Sequence, residues 1–147
     1  MLYFILLSFF AGVAIAIQAN INSQLGVLLT SSLLATSITL VSSFLFTSIA
    51  ITCLVKEFPT VEIVKSIPIY LWFTGGLLSA FALASFFFVI PKIGILSMIS
   101  FSLAGQLIYS LASSHYGWFS MPITPISIAK ITGVISMLIG IFLINKG

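Results

Sequence analysis

Charge is what this chain has least of. Its 147 residues include five lysines, two glutamates, and neither arginine nor aspartate, so charged groups make up 5% of the sequence. A soluble domain carries roughly a quarter of its residues charged. At a mean hydropathy of +1.33, the solvent of this protein must be mostly lipid. The same shortage excludes several functions. The lysines form no cluster, so a nucleic-acid partner would find no basic patch to grip. Cys53 is the single cysteine, which leaves no intrachain disulfide and no multi-cysteine metal site. One histidine, one cysteine and two glutamates in a polar loop build neither a metal centre nor a catalytic triad. Neither enzymatic activity nor a cofactor is therefore expected. No Asp, Glu or Arg falls within an apolar run. Transport that holds a cation or relays a proton on a membrane carboxylate needs one.

What the chain does have is long apolar sequence. The N-terminal run ends in Ala14-Ile15-Ala16, which resembles a signal-peptide cleavage site, but no lysine or arginine precedes it and further runs follow. It is expected to stay as a first helix. A span needs about 20 mainly apolar residues, and the punctuation gives five: roughly 2–24, 32–55, 68–90, 93–113 and 126–145. The fold class is thus all-α, an integral membrane protein with 1–147 as a single membrane domain. The longest polar interval, KEFPTVEIVKSIP, holds Glu57 and Glu62. Pro91-Lys92-Ile93-Gly94 marks a tight connection that should make a hairpin of spans three and four. SSHYGWFSMPITP separates spans four and five.

Five spans put the two termini on opposite sides. Lys56, Lys65 and Lys130 then share the N-terminal side, against Lys92 and Lys146 on the other. Orientation follows an asymmetry of basic residues, and three against two is a weak one. Either a single topology is weakly specified, or the protein inserts both ways and pairs antiparallel.

The polar residues fall in stripes. In IQANINSQLG, at about 100° per residue, Gln18 and Asn22 share one helical face and Asn20 and Gln24 lie roughly opposite. Ala11, Ala14, Gln18, Asn22 and Gly26 make a stripe expected to face the interior, while Asn20 and Gln24 mark the approach to the membrane surface. Thr36, Thr39, Ser43 and Thr47 line the second span; Ser102, Gln106, Tyr109 and Ser113 line the fourth. Hydroxyls commonly join helices in lipid by hydrogen bonds worth roughly 0.6 kcal/mol, and that reading suffices for Ser and Thr. A carboxamide has two donors and an acceptor to satisfy, so Gln18, Asn22 and Gln106 point instead to a binding role. Gly76, Ala80 and Ala84 recur every four residues, as do Thr132, Ser136 and Gly140; such seams suit helix packing. Trp72 opens the third span as a belt aromatic or as the wall of a site. His115 falls in a connection, where it is expected at the surface, and Lys92 and Lys130 stand at span ends and can snorkel.

Taken in order, these motifs resemble the YdcZ-type small inner-membrane exporters of the drug/metabolite transporter superfamily. The resemblance runs nearly end to end. It rests on Gln18, Ala19, Asn22, Leu25 and Gly26; on Trp72 with Gly75 and Gly76; on Pro91, Lys92 and Gly94; and on Gly105 with Gln106. The family's Asp-His-aromatic-Gly turn is matched by Ser114, His115, Tyr116 and Gly117, without the aspartate, and its basic residue opening the last span by Lys130. The resemblance implies a bacterial cytoplasmic (inner) membrane protein. It also implies one repeat of a 5+5 inverted-topology transporter, completed by an antiparallel homodimer or a paired homologous subunit. Inverted repeats place the substrate near the bilayer midplane at their interface.

The function expected is therefore small-molecule export by alternating access. Gln18, Asn22 and Gln106 would bind substrate through neutral hydrogen bonds, with Trp72 and Tyr109 as aromatic walls. His115, Lys92 and Lys130 are candidates for gating or proton linkage. A passive channel, and a scaffold subunit whose stripes only pack helices, are the rival readings.

Overall fold

Residues 2–28 contain no proline and only two glycines, so nothing interrupts the first apolar run. In the computed structural model, which describes residues 1–120 and 122–146, it forms one helix, α1 (Leu2–Leu28). Four more helices are long and apolar enough to cross a membrane: α2 (Ser32–Leu54), α4 (Ile69–Ile93), α5 (Ile95–Tyr116) and α6 (Ile128–Lys146). A short α3 (Val61–Ser66) lies in the polar interval between α2 and α4, with Glu62 in its first turn and Lys65 in its last, the charge order that complements a helix dipole. Among the described residues there is no strand.

The helices outrun the spans expected for them in three places. α1 continues four residues past Gln24, so Asn20 and Gln24 lie within the helix rather than at its exit. Pro91, expected in a connection, lies inside α4, and Gly94 alone, at φ 81°, joins α4 to α5. Positive φ there suits glycine. α5 runs on through His115 to Tyr116 and is closed by Gly117 in the left-handed region, the usual glycine stop. His115 is therefore a half-buried residue of a helical last turn, not a surface residue of a loop.

The chain divides into two compact units, Met1–Lys92 and Ile93–Gly147. In the first, α1 ends in a complete double-bonded cap. The N–H of Ser31 reaches back to the carbonyl of Gly26 at 3.0 Å, and that of Thr30 to Val27 at 3.1 Å. Thr30 occupies the left-handed position, at φ 52°, where a β-branched residue is strained. Ser31 then caps α2, its Oγ accepting from the N–H of Leu34 at 3.3 Å. A turn this short returns the chain directly, and Gly26 lies buried at the approach of the two helices. A methyl group added there would stand 3.5 Å from Ser32 Cα and 3.6 Å from Ala35 Cβ.

The buried seam of this unit consists of Ala19, Ser23 and Gly26 on α1, Ala35, Thr36 and Thr39 on α2, and Phe87 and Ile90 on α4. It is rotated from the stripe expected on α1. Ala11 and Ala14 are exposed, Gln18 and Asn22 are half-buried at its edge, and only Gly26 lies in it. Small residues fill the seam because lipid tails are as apolar as leucine, so close backbone approach, not apolar bulk, holds helices together in a bilayer.

Pro91 sets a second constraint. Lacking an N–H, it leaves the carbonyl four residues earlier without its helical donor. That carbonyl belongs to Phe87, and the buried hydroxyl of Ser23 donates to it across the unit at 3.5 Å. A side-chain hydroxyl re-satisfying a carbonyl freed by proline is what allows proline within a membrane helix.

In the second unit α5 packs against α6. The connection between them folds back on the end of α5. The N–H of Thr124 donates to the carbonyl of Ser114 at 2.8 Å, and that of Ile126 to His115 Nδ1 at 3.4 Å.

Candidate functional site

Hydroxyls were expected to join helices; most of them do not. Thr36 and Thr39, though buried, donate to the carbonyls of Ser32 and Ala35 on their own helix, each at 2.8 Å. Thr47, Thr132 and Ser136 do the same, four residues back. A hydroxyl satisfied one turn back needs no partner across an interface. Ser23 is the exception, for the reason Pro91 supplies.

The carboxamides behave differently. Gln18 and Asn22 stand on adjacent turns of α1, both half-buried beside the small-residue seam, while Asn20 and Gln24 are exposed. Among the described residues, the carboxamides that donate hydrogen bonds are Gln106, to Ser102 Oγ at 2.9 Å, and Asn145, to the carbonyl of Ile141 at 2.8 Å. Gln18 and Asn22 are not among them. Their polar capacity stays available at the edge of the helix contact.

The other aromatic and basic residues fall into local groups. Trp72 is 54% exposed in the first turn of α4, a position typical of a belt aromatic at the membrane interface. In the second unit Gln106 and Tyr109 are both exposed, and Tyr109 tilts against Trp118 with ring centres 5.9 Å apart. Trp118 also stacks on Tyr116 at 5.9 Å, and His115 meets the edge of Tyr116 at 5.0 Å. An aromatic group thus closes the Tyr116 end of α5. Because His115 Nδ1 accepts a hydrogen bond, the neutral ring carries its proton on Nε2. Lys130 donates from Nζ to the carbonyl of Pro125 at 2.9 Å. Lys92 lies over the Phe88 ring, 3.4 Å from its centre, a cation–π contact.

Of the residues expected to pack helices, Ala80 and Ala84 are half-buried and face a groove between α2 and α4. Gly76, Thr132 and Ser136 are exposed, and a methyl group at Gly76 or Gly140 would meet nothing within 4 Å. The groove beside Ala80 and Ala84 has a volume of about 470 Å³ and includes Thr36, Leu40, Leu77 and Phe88 in its walls. A second, about 490 Å³, lies in the other unit against Phe101, Ala104, Ile141 and Phe142. Neither is lined by Gln18, Asn22, Trp72, Gln106 or Tyr109.

Among the residues that bring the first unit together, sequence reasoning passed over Ser23, Ala35 and Phe87 and noted Ala19 only as part of a family motif. A signal for Ser23 exists. Pro91 frees the carbonyl four residues back, and a serine on a small-residue face of another span is the simplest donor for it.

No curated protein and no solved structure matches this chain. Residues 3–143 match the family described as "Putative inner membrane exporter, YdcZ". That match takes in all five long apolar helices: the chain belongs to the YdcZ family of inner-membrane exporters and is a multi-pass protein of the inner membrane.

Proposed function

We propose that the protein exports a small molecule as an antiparallel dimer by alternating access, and that Gln18 and Asn22 hydrogen-bond the substrate. One observation carries the substrate role. Two carboxamides on adjacent turns of α1 are half-buried, and neither is among the amides that donate within the chain. A donor and acceptor pair drawn partly out of water is costly unless it has something to bind. Trp72, Gln106 and Tyr109 are proposed as further contacts, offering ring faces and another amide. Such groups suit a polar uncharged solute, or a cation held on ring faces.

Two features support the dimer. The lysines divide three to two between the membrane sides, and so scarcely fix one orientation. In the Thr132, Ser136 and Gly140 seam the first two residues are exposed, and a methyl group at the half-buried Gly140 would meet nothing within 4 Å; small residues at this spacing allow a second helix to approach closely.

Saturable flux in proteoliposomes, with competition between related solutes, tests transport; flux linear in concentration would indicate a channel instead. A ligand that binds the folded state raises its apparent melting temperature, so a thermal screen in detergent identifies the solute to use. Cysteine reporters in the 56–66 segment and beside Lys146, with Cys53 replaced, should each be partly labelled from both sides of intact cells. Labelling from one side only would exclude the antiparallel homodimer.

A further inference from the structure

The groove between α2 and α4 is not closed at its Lys92 end. A smaller cavity of about 220 Å³ adjoins it there, and the two share Ser32 and Phe88 as walls. The character of the lining changes along this continuous trough. From Leu77 to Ala84 it is mainly apolar, with Leu40, Leu77, Ala80, Phe81 and Ala84, and the hydroxyls of Thr36 and Ser37 on its α2 wall donate within their own helix. Past Phe88 it is lined by Thr30, Ser31 and Lys92. The apolar stretch from Leu77 to Phe88 covers 11 helical steps, roughly 16 Å. That is about half of the ~30 Å hydrocarbon core, the depth of one leaflet. Lys92 stands in the last turn of α4, where a membrane helix reaches the headgroup layer.

The geometry points to a bound anionic phospholipid, with one acyl chain along the α2–α4 groove and its phosphate between Lys92 and the Ser31 hydroxyl. Charge and length together select this occupant. An uncharged chain would make no use of Lys92. A helix of a second copy would have to place against Lys92 a carboxylate that none of the five long helices contains. The Ser31 hydroxyl accepts from the N–H of Leu34 and keeps its own proton to donate to a phosphate, which no apolar partner needs. Lys92 is already positioned, since Phe88 holds its ammonium 3.4 Å above the ring at the junction of the two cavities. This site goes beyond the export reading and uses none of the residues assigned there to the solute.

The test is lipid retention by purified protein, measured by native mass spectrometry in detergent with phosphatidylglycerol and phosphatidylcholine of identical chains. Wild type should retain phosphatidylglycerol preferentially. Lys92→Gln should reduce that preference about fivefold, the weight of one lysine at an anionic surface; Lys92→Arg and the control Lys65→Gln should preserve it. Ala84→Leu, which fills the groove, should lower retention of both lipids while leaving the dimer fraction in delipidated detergent unchanged. The proposal is overturned if Lys92→Gln keeps the wild-type preference, or if Ala84→Leu retains both lipids as before. It is equally overturned if Ala84→Leu instead disrupts the delipidated dimer, since the groove would then hold a second copy. Should Ala84→Leu fail to fold, the Lys92 pair decides alone.

Discussion

The two units of this protein hold together in different ways. In the first, three helices meet through small side chains: Ala19, Ser23 and Gly26 against Ala35, Thr36 and Thr39, with Phe87 and Ile90 from α4. In the second, two helices are tied most visibly at one end, where Gly117 closes α5 and the connection returns to Ser114 and His115. Few large apolar side chains are buried in either unit, Phe87 and Ile90 in the first and Met98 and Ile141 in the second. Leu, Ile and Phe residues are exposed along every long helix, because in lipid their burial brings little gain. What decides association is how closely backbones approach and whether each freed backbone group finds a partner. The first unit meets both demands near the α1–α2 turn and Pro91, where its buried residues gather; the second adds to the tie at Ser114 and His115 the buried Met98 and Ile141, toward the other ends of α5 and α6.

The largest expected effect lies at the edge of the first unit's seam. Gln18→Leu and Asn22→Leu should lower flux tenfold or more, the order expected for losing one hydrogen bond to a buried polar group, and leave the proposed dimer folded. Asn20→Leu and Gln24→Leu, on the exposed face, should be mild. If the amides served helix adhesion instead, dimer fraction and flux would fall together. Measuring both quantities on all four variants separates the two roles.

Gly26 tests the seam itself. A methyl group there meets Ser32 and Ala35 at ordinary contact distances, so Gly26→Ala should fold and melt like wild type. Gly26→Leu has no such room and should destabilise the first unit by about 1–3 kcal/mol, the usual cost of overpacking. Chemical denaturation in detergent reads the difference. Equal behaviour of the two variants would mean that α1 and α2 are not held at this approach.

The tie in the second unit can be broken at His115, whose Nδ1 accepts from the N–H of Ile126 at 3.4 Å. His115→Leu removes the acceptor and should cost about 1 kcal/mol, the usual net worth of one hydrogen bond. His115→Gln keeps an acceptor and should cost less. Chemical denaturation in detergent compares the two variants. If they unfold alike, the link to Ile126 does not hold the connection to the end of α5.

The helix number, the membrane location and the family were legible from scarcity of charge, length of apolar runs and a few ordered motifs. The faces were less so. A stripe through Gln18 and Asn22 places the polar pair near the helix contact, but the contact itself is rotated toward Ala19 and Ser23, because closeness of approach favours the smallest side chains over the most polar. Hydropathy also cannot tell a proline that ends a helix from one inside it. Pro91 reads as a turn until a donor for the Phe87 carbonyl is found on another helix. Likewise Thr36, Ala80 and Ala84 appear in sequence as separate stripes, and only the fold places them around one groove.

That proline gives the smallest and sharpest prediction. Ser23→Ala removes the donor to the Phe87 carbonyl and should cost about 0.6 kcal/mol, the average for such a bond between membrane helices, the 3.5 Å separation arguing against more. The cost should depend on Pro91. In a Pro91→Ala background the helix regains its N–H, the Phe87 carbonyl is satisfied within α4, and the serine hydroxyl becomes dispensable. Ser23→Ala should then be nearly neutral, so the two substitutions couple with an energy of the same size as the single loss. A double-mutant cycle isolates that coupling from the packing changes each substitution brings. If Ser23→Ala costs the same in both backgrounds, the hydroxyl matters as a small group in the seam and not as the partner of a carbonyl that proline left open.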